Sequence, residues 1–186
     1  MTSYRILGRG GQGVITLGKV LTQAIIYSGE NGIMSEIHGL SQRGGGVVTD
    51  VKSGEYQSPL IMAGTADYIL SMDPEETSFN ITSLKDNGIC ISVSYNEKDY
   101  KEEKRGRIEF IELNPLTIAK NMDRRAHNMF LLGVLSAVDP FPQPEKIIRA
   151  ISEIFPEKVA ASNIDAFNLG RNFYMNLGLE TGKSSH

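Results

Sequence analysis

The sequence predicts an α/β fold: three layers built on a mostly parallel sheet, with a helical C-terminal third. Short apolar segments that are typical of strands alternate with helical segments as far as residue 113. From Pro115 onward every further segment is predicted to be helical. Strands that alternate with helices are typical of a parallel sheet. The 186 residues fit one domain, which we assign to residues 1–179, and we expect residues 180–186 to be a disordered tail.

The N-terminal part of the chain supplies the first strands of the sheet. Apolar residues at helical spacing predict the first helix, which Gly29 ends, and alternating or continuous apolar runs predict the strands. Gly54 is expected to turn the chain into a hairpin partner at residues 56–58. The expected elements are a strand at 4–7, a helix at 14–28, and strands at 32–37, 46–52 and 66–72.

The rest of the chain completes the sheet and then becomes helical. Asp73, followed by Pro74 and then by Glu76, is typical of a capped helix start, and that helix is predicted to end near Leu84. Residues 86–88 are predicted to form a turn, and the charged segment 96–105 is predicted to be a solvated loop. The remaining expected elements are strands at 89–93 and 108–113 and helices at 116–122, 128–138, 144–154 and 161–177.

Composition disfavours several classes of function. A net charge of −3 and a pI near 5.7 argue against a general nucleic-acid binder, whose surface is usually basic. The single cysteine, Cys90, cannot hold an iron–sulfur cluster or a structural zinc, and its apolar surroundings predict an inert buried thiol. No apolar run approaches the roughly 18 residues of a membrane span, and no signal peptide is recognisable, so we expect a cytoplasmic protein.

Eight of the 19 glycines fall in two clusters, and the first of them is Gly8-Arg9-Gly10-Gly11-Gln12-Gly13. It fits G-x-G-x-x-G between a predicted strand and a predicted helix, a Rossmann-like arrangement in which N–H groups at a helix N-terminus bind an anion. Glu36 lies 23 residues after Gly13, roughly where a dinucleotide fold places its ribose-binding acid. The motif therefore predicts either a nucleotide site or only a tight strand-to-helix turn.

The second cluster, residues 35–46, is unusually polar and flexible for a loop that follows a strand. Loops at the carboxyl ends of strands line the ligand crevice of an α/β sheet, and the first two strands are often neighbours, which would make the two clusters face each other. Arg43 can contact a phosphate or carboxylate through two N–H groups, or it is an ordinary surface charge. His38 is a weak candidate for acid–base catalysis, because no partner acid stands at a readable spacing.

The two clusters together carry a family resemblance that neither carries alone. Gly8-x-Gly-Gly-Gln-Gly13, followed by Ser35-Glu-Ile-His-Gly-Leu-Ser-Gln-Arg-Gly-Gly45, resembles the gamma-type subunit of 2-oxoacid:ferredoxin oxidoreductases. The second stretch is most similar to the beta subunit of the indolepyruvate enzymes. Residues 58–61, 66–67 and the pair Asn128-x4-Gly133 also fit the pattern, so that the resemblance covers about residues 4–138.

The resemblance implies a thiamine diphosphate enzyme that oxidatively decarboxylates a 2-oxoacid, forms an acyl-coenzyme A and reduces ferredoxin. This chain lacks the thiamine-binding segment of that family, so thiamine diphosphate, Mg²⁺ and the iron–sulfur clusters are expected on partner subunits, without which this chain is expected to be inactive. The isolated chain is a possible homodimer. The residues expected to contact coenzyme A, substrate or the partner are Gly8, Gly10, Gly11, Gln12, Gly13, Ser41, Gln42, Arg43 and Gly44.

Two alternatives remain open from the sequence. The first is a free-standing enzyme of Rossmann type that binds NAD or FAD at residues 8–13, with Glu36 on a ribose. The second is a scaffold whose glycine-rich loops serve only subunit contact. The second cluster favours the oxidoreductase subunit, because a dinucleotide fold does not require the segment Gly-Leu-Ser-Gln-Arg-Gly-Gly at residues 39–45.

Overall fold

The computed structural model describes residues 1–38, 45–94, 100–120 and 122–181. The strands are β1 (Thr2–Arg9), β2 (Gly32–His38), β3 (Gly46–Ser53), β4 (Ala66–Ser71), β5 (Leu84–Val93), β6 (Tyr100–Arg105) and β7 (Ile108–Leu113). The helices are α1 (Val14–Tyr27), α2 (Pro74–Asn80), α3 (Pro115–Ile118), α4 (His127–Val138), α5 (Pro144–Ile154) and α6 (Glu157–Thr181). Short 3₁₀ helices at Ile81–Ser83 and Arg124–Ala126 follow α2 and precede α4.

The seven strands of the described residues form one sheet in the order β2-β3-β1-β4-β5-β7-β6. The strands β1, β4, β5 and β7 are mutually parallel, whereas β3 and β6 are antiparallel to their neighbours. Because β2 is antiparallel to β3, it points the same way as β1. Five of these seven strands therefore share one direction, which confirms the mostly parallel sheet. The first two strands are not neighbours, because β3 lies between them.

Helices cover both faces of the sheet, but unequally. One face packs against α1, α4, α5 and α6, so the helical C-terminal third and its position on the sheet are confirmed. The opposite face carries a smaller core, which Ile81 covers from the 3₁₀ helix after α2, and it includes the buried thiol of Cys90. The buried residues of this smaller core are Leu7, Ile61, Ala66, Ile69, Leu84, Cys90 and Phe110.

A buried ion pair joins β1 to the antiparallel strand β3. Arg5 and Asp50 stand opposite each other in the register, and their side chains are joined by two hydrogen bonds of 2.8 Å. The same two residues hold the loop that follows β3, because Arg5 donates to the carbonyl of Ile61 and Asp50 accepts from its N–H. The pair therefore fixes β3 beside β1. It also fixes the end of the second glycine cluster, because β3 begins at Gly46.

Helices α4 and α6 approach each other closely at two glycines. A Cβ atom on Gly133 would lie 2.0 Å from the carbonyl oxygen of Phe167, and one on Gly170 would lie 2.1 Å from that of Phe130. Real Cβ atoms do not reach such distances, so both positions need glycine for steric reasons. The close crossing sets the position of α4, whose first turn lies beside the N-terminus of α1.

Two predictions about strands were wrong. Residues 56–58 do not pair as a strand; Lys52 instead donates to the carbonyls of Ser58 and Leu60 and lies over the ring of Tyr56, so one side chain orders this segment. Part of the charged segment 96–105 is the edge strand β6, and residues 95–99 lie outside the described ranges. Charged side chains at a sheet edge are compatible with a strand because they face solvent and discourage pairing with another chain.

The bounds of several other elements differ from those predicted. Residues 86–88 form a bulge within β5, since Asn87 has φ of 62° and the register with β4 shifts there. The helix α2 ends at Asn80 and α3 spans only Pro115–Ile118, so both are shorter than predicted. The helix α6 runs through Thr181, which makes residues 180 and 181 helical. The domain boundary at 179 and the disordered tail stay predictions, and residues 182–186 lie outside the described part of the chain.

Candidate functional site

The carboxyl ends of the parallel strands meet at one edge of the sheet, where the first glycine cluster joins β1 to α1. This segment, residues 8–13, is called the glycine loop below. The end of β4 and the start of α2 lie beside it, because the carbonyl of Leu7 accepts from the N–H of Met72 at 2.9 Å. In open α/β sheets this edge is where ligands bind, so the sequence motif stands in the required structural context.

Gln12 shapes the glycine loop from within. Its Oε1 accepts from the N–H of Arg9 at 2.6 Å, its own N–H donates to the carbonyl of Arg9 at 3.1 Å, and its Nε2 donates to the carbonyl of Met72 at 3.2 Å. A Cβ atom on Gly8 would lie 2.7 Å from this Oε1, so Gly8 makes room for the amide. Gln12 therefore ties the end of β1 to the end of β4.

The other three glycines of the loop allow its backbone conformation, and two of them leave it open to its surroundings. Gly11 and Gly13 have φ of 90° and 75°, values that residues other than glycine rarely adopt. A Cβ atom on Gly10 or Gly11 would have no neighbour within 4 Å, so the loop is open on that side. The N-cap Gly13 provides no side-chain hydrogen bond, and α1 has no acidic residue in its first turn. The free N–H groups and the positive dipole end of α1 therefore favour an anion.

A cleft lies between the N-terminus of α1 and the helix α6, and we call it the α1–α6 cleft. It encloses about 450 Å³. Its wall includes Gly11, Gly13, Arg125, Asn128, Phe155, Lys158 and Asn163. Phe155, which follows α5, and the α6 residues Lys158 and Asn163 were not predicted as site residues from the sequence. The signal in the sequence that could have found them was Asn163, a polar residue within a predicted helix. In the structure it is buried, with 6% exposure.

Asn128 closes the inner end of the α1–α6 cleft. The residue is 3% exposed, its Nδ2 donates to the carbonyl of Gly13 at 3.2 Å, and its Oδ1 accepts from the N–H of Met129 at 2.9 Å. A Cβ atom on Gly13 would lie 2.4 Å from Nδ2, so a side chain at position 13 would collide with Asn128. The first turn of α4 is thereby attached to the glycine loop.

Charges differ on the two sides of the glycine loop. On the side of α2, the guanidinium of Arg9 pairs with Asp73 and Glu75, and Asp73 raises the pKa of Arg9 most. Burial, with the neighbouring Asp73 charge, raises the pKa of Glu76. On the side of the α1–α6 cleft, Lys158 supplies positive charge. An anionic ligand is therefore better accommodated on the cleft side than on the α2 side.

Arg125 is the second cation of the cleft, and it is tied to a neighbouring acid. Its side chain donates hydrogen bonds to Asp123, and these lower the pKa of Asp123 to about 2. Much of the charge of Arg125 is thereby balanced within the chain. Lys158 and the helix N-terminus are consequently the groups that would attract an anion into the cleft.

The second glycine cluster is described only at its two ends. His38 ends β2 opposite Val47, whereas Ser41, Gln42, Arg43 and Gly44 lie outside the described residues. Gly46 stands opposite Arg9 in the register, and a Cβ atom there would lie 2.4 Å from the carboxylate of Glu76. The end of the second cluster therefore lies beside the glycine loop, although β3 and not β2 brings it there.

Glu36 is badly placed for the dinucleotide alternative. In the fold that binds NAD or FAD, the acid follows a strand adjacent to the first one. Here Glu36 belongs to β2, which is separated from β1 by the antiparallel strand β3. The spacing in the sequence thus suggested a juxtaposition that the topology does not provide.

Within residues 1–38, 45–94, 100–120 and 122–181, no three or more His, Cys, Asp or Glu side chains are grouped so as to hold a metal ion. None of the helices in the described part of the chain has the length and apolar character needed to cross a membrane.

Comparisons with known proteins agree on one family. The family model described as "Pyruvate ferredoxin/flavodoxin oxidoreductase" matches residues 3–173. Indolepyruvate oxidoreductase subunit IorB of Thermococcus kodakarensis is 31% identical, over 91% of this chain and 95% of its own length. The gamma subunit of a keto/oxoacid ferredoxin oxidoreductase from Geobacter sulfurreducens has a TM-score of 0.78 at 25% identity, covering 95% of this chain and 99% of its own.

A longer protein contains the same fold. It is the 2-oxoglutarate:ferredoxin oxidoreductase of Magnetococcus marinus, solved with 2-oxoglutarate, coenzyme A and succinyl-CoA bound. The TM-score is 0.77 at 22% identity, and the match covers 94% of this chain but 31% of that one. At this identity the similarity concerns the fold alone.

Proposed function

The chain belongs to the pyruvate ferredoxin/flavodoxin oxidoreductase family and is a subunit of a 2-oxoacid:ferredoxin oxidoreductase, and on this premise we propose that it serves an enzyme of the indolepyruvate type. The overall reaction releases CO₂ from the 2-oxoacid, forms a thioester with coenzyme A and passes two electrons to ferredoxin. In this proposal the chain contributes its glycine-rich loops to the active-site region or to the path of coenzyme A.

The observation that carries the proposal is the uncapped N-terminus of α1 beside the α1–α6 cleft. Coenzyme A bears phosphates, and the free N–H groups of a helix start, with Lys158 nearby, are suited to such a group. Gly10 and Gly11 leave the loop open, so that a ligand can approach the backbone closely. The longer Magnetococcus protein, which shares the fold, was solved with coenzyme A and succinyl-CoA.

The chemistry of decarboxylation and electron transfer is assigned to partner subunits. One cysteine in 186 residues cannot ligate an iron–sulfur cluster, and Cys90 is buried in β5. We therefore place thiamine diphosphate, Mg²⁺ and the clusters on a larger partner, with ferredoxin as acceptor of the whole complex and little activity in this chain alone. In the cytoplasmic complex, Ser41, Gln42, Arg43 and Gly44 orient the substrate or the active site of the partner, and His38 remains the weak candidate for proton transfer.

The Michaelis constant for coenzyme A in the assembled complex tests this proposal. A Cβ atom on Gly10 meets no protein atom, so Gly10→Ala should fold normally and obstruct only a ligand that approaches the loop. We expect Gly10→Ala and Arg43→Ala to raise the KM for coenzyme A several-fold, with the KM for ferredoxin unchanged. If both variants keep the parental KM for coenzyme A and for the 2-oxoacid, the loops do not serve the reaction.

A further inference from the structure

The glycine loop is held by two side-chain amides that approach it from different elements. Gln12 belongs to the loop, and its amide joins Arg9 to Met72 across the ends of β1 and β4. Asn128 belongs to α4, 115 positions after Gly13, and its Nδ2 donates to the carbonyl of Gly13. The amide of Gln12 is thus engaged within the protein.

The hydrogen bond of Asn128 acts at the residue that determines the direction of α1. The carbonyl of Gly13 accepts from Nδ2 of Asn128 at 3.2 Å and from the N–H of Leu17 at 2.9 Å, the first hydrogen bond of the helix. Helix N-caps usually have extended backbone, whereas Gly13 is left-handed, with φ of 75° and ψ of 26°. Glycine alone does not enforce that conformation, because it adopts negative φ as readily. The hydrogen bond from Asn128, which comes from outside the loop, is a contact that favours it.

We propose that Asn128 is a positioning residue, which holds Gly13 left-handed and so directs the first N–H groups of α1 into the α1–α6 cleft. The orientation of its amide is determined by its partners: Oδ1 accepts from the N–H of Met129, which leaves Nδ2 to donate to Gly13. Near-complete burial prevents water from replacing this donor. The identity of the ligand as coenzyme A rests on the proposed function, whereas the role of Asn128 in ordering the loop does not.

Kinetics of the assembled complex separate positioning from simple stabilisation. Asn128→Ala removes the donor, and Asn128→Asp keeps the shape and the acceptor for Met129 but also lacks the donor to Gly13. We expect both variants to raise the KM for coenzyme A by about five- to tenfold, the factor that corresponds to one hydrogen bond of roughly 1 kcal/mol. The KM for the 2-oxoacid should stay at the parental value.

Ser136→Ala provides the matched control. Ser136 is buried in the same helix, and its hydroxyl donates to the carbonyl of Gly133, two turns away from the loop. The control should lower Tm by a similar amount and leave the KM for coenzyme A unchanged. If it raises that KM as much as Asn128→Ala does at an equal loss of Tm, the effect of Asn128 is only structural and the inference is overturned.

A double-mutant cycle with Gly13→Ala gives a second readout. Because the added Cβ would collide with Nδ2 of Asn128, the two substitutions should be strongly non-additive in Tm and in the KM for coenzyme A. Additive effects would contradict the coupling. If Gly10→Ala raises the KM for coenzyme A while both Asn128 variants leave it unchanged, the inference fails and the proposed function stands. If Gly10→Ala and Arg43→Ala also leave the KM for coenzyme A and for the 2-oxoacid unchanged, the proposed role of the loops fails too.

Discussion

Neighbouring glycines of the glycine loop differ in what they tolerate. Gly13 combines a left-handed backbone with a close contact to Asn128, whereas Gly10 faces open space and is not left-handed. The first residue serves the internal geometry of the fold and the second leaves room outside it. One motif thus contains glycines that are needed for different physical reasons.

This difference predicts that two alanine substitutions will affect the free energy of unfolding unequally. Gly13→Ala should lower the free energy of unfolding by about 1–3 kcal/mol, because an alanine held at positive φ is strained and its Cβ also meets the amide of Asn128. Gly10→Ala should change it by less than about 0.5 kcal/mol. Urea denaturation of the purified chain measures both. Equal losses would mean that the loop does not have the described geometry.

Asp67 joins the start of β1 to β4 through its carboxylate. Oδ2 accepts from the N–H of Ser3 at 2.8 Å and from its hydroxyl at 2.7 Å, and Lys85 pairs with Oδ1. Burial acts to raise the pKa of Asp67, but the hydrogen bonds from Lys85 and Ser3 outweigh it, and the pKa is lowered. The ionised form is therefore bound more favourably in the folded state than in the unfolded chain.

This lowered pKa predicts an acid-dependent loss of stability. The contribution of Asp67 is fully present above its unfolded pKa, near 4, and is lost as the pH falls through the lower folded value. The stability difference between the parent and Asp67→Asn should be largest at neutral pH and should shrink below about pH 4. Asp86→Asn, which removes an exposed carboxylate paired with Arg107, is the control and should change stability little at any pH. A difference that grows with acidity would contradict the assignment.

At the scale of elements, the start of α2 is secured by Asp73. Its Oδ1 accepts from the N–H groups of Glu75 and Glu76 at 3.0 and 3.1 Å, and its Oδ2 pairs with Nε of Arg9 at 2.9 Å. The capped start with Pro74 is the arrangement that the sequence predicted. It also connects α2 to the glycine loop through Arg9.

Two substitutions at Asp73 separate the cap from the ion pair. Asp73→Ala removes both and should cost about 1 kcal/mol or somewhat more, whereas Asp73→Asn keeps the capping oxygen and should lose only the partly exposed ion pair, within about 1 kcal/mol. Thermal unfolding at low and high salt distinguishes them, because salt screens the ion pair and not the cap. If Asp73→Asn is as harmful as Asp73→Ala at high salt, the cap is not the main contribution.

At the scale of the whole molecule, the antiparallel strand β3 changes what the fold can bind. It occupies the place beside β1 where a dinucleotide fold has a parallel strand with its ribose-binding acid, and Glu36 is displaced to the far strand β2. The chain keeps the glycine-rich turn into an uncapped helix start, which is suited to an anion, without the second half of a dinucleotide site.

The isolated chain should therefore bind neither NAD nor FAD with appreciable affinity. Titration calorimetry with each nucleotide at micromolar to millimolar concentration measures this, and we expect no saturable heat. Coenzyme A titrated into the complex with its larger partner is the positive comparison. Tight, saturable NAD or FAD binding that Gly11→Val abolishes would contradict the subunit assignment and favour the free-standing enzyme.

The sequence alone was sufficient for features that depend on local patterns. Helical spacing located α5 with its bounds of Pro144–Ile154, the residues at 73–76 indicated a capped helix, and the glycine motif located the turn into α1. These features are decided by neighbours along the chain, through hydrogen bonds and side-chain periodicity over one or two turns. The paired glycine clusters likewise sufficed for the family, because they are contiguous stretches.

Only the tertiary structure decided which distant residues meet. It placed β3 between β1 and β2, attached Asn128 to Gly13, formed the cleft between α1 and α6, and gave the charged segment Tyr100–Arg105 a strand partner in β7. Such contacts depend on the packing of whole elements, as in the close crossing of α4 and α6 at Gly133 and Gly170. Sequence spacing does not reveal that β3 lies between β1 and β2, and this is why Glu36 was misplaced although it stands only 23 residues after Gly13. Nor does it give a distance between residues more than a hundred positions apart, and this is why Asn128 acquired its role only in the folded chain.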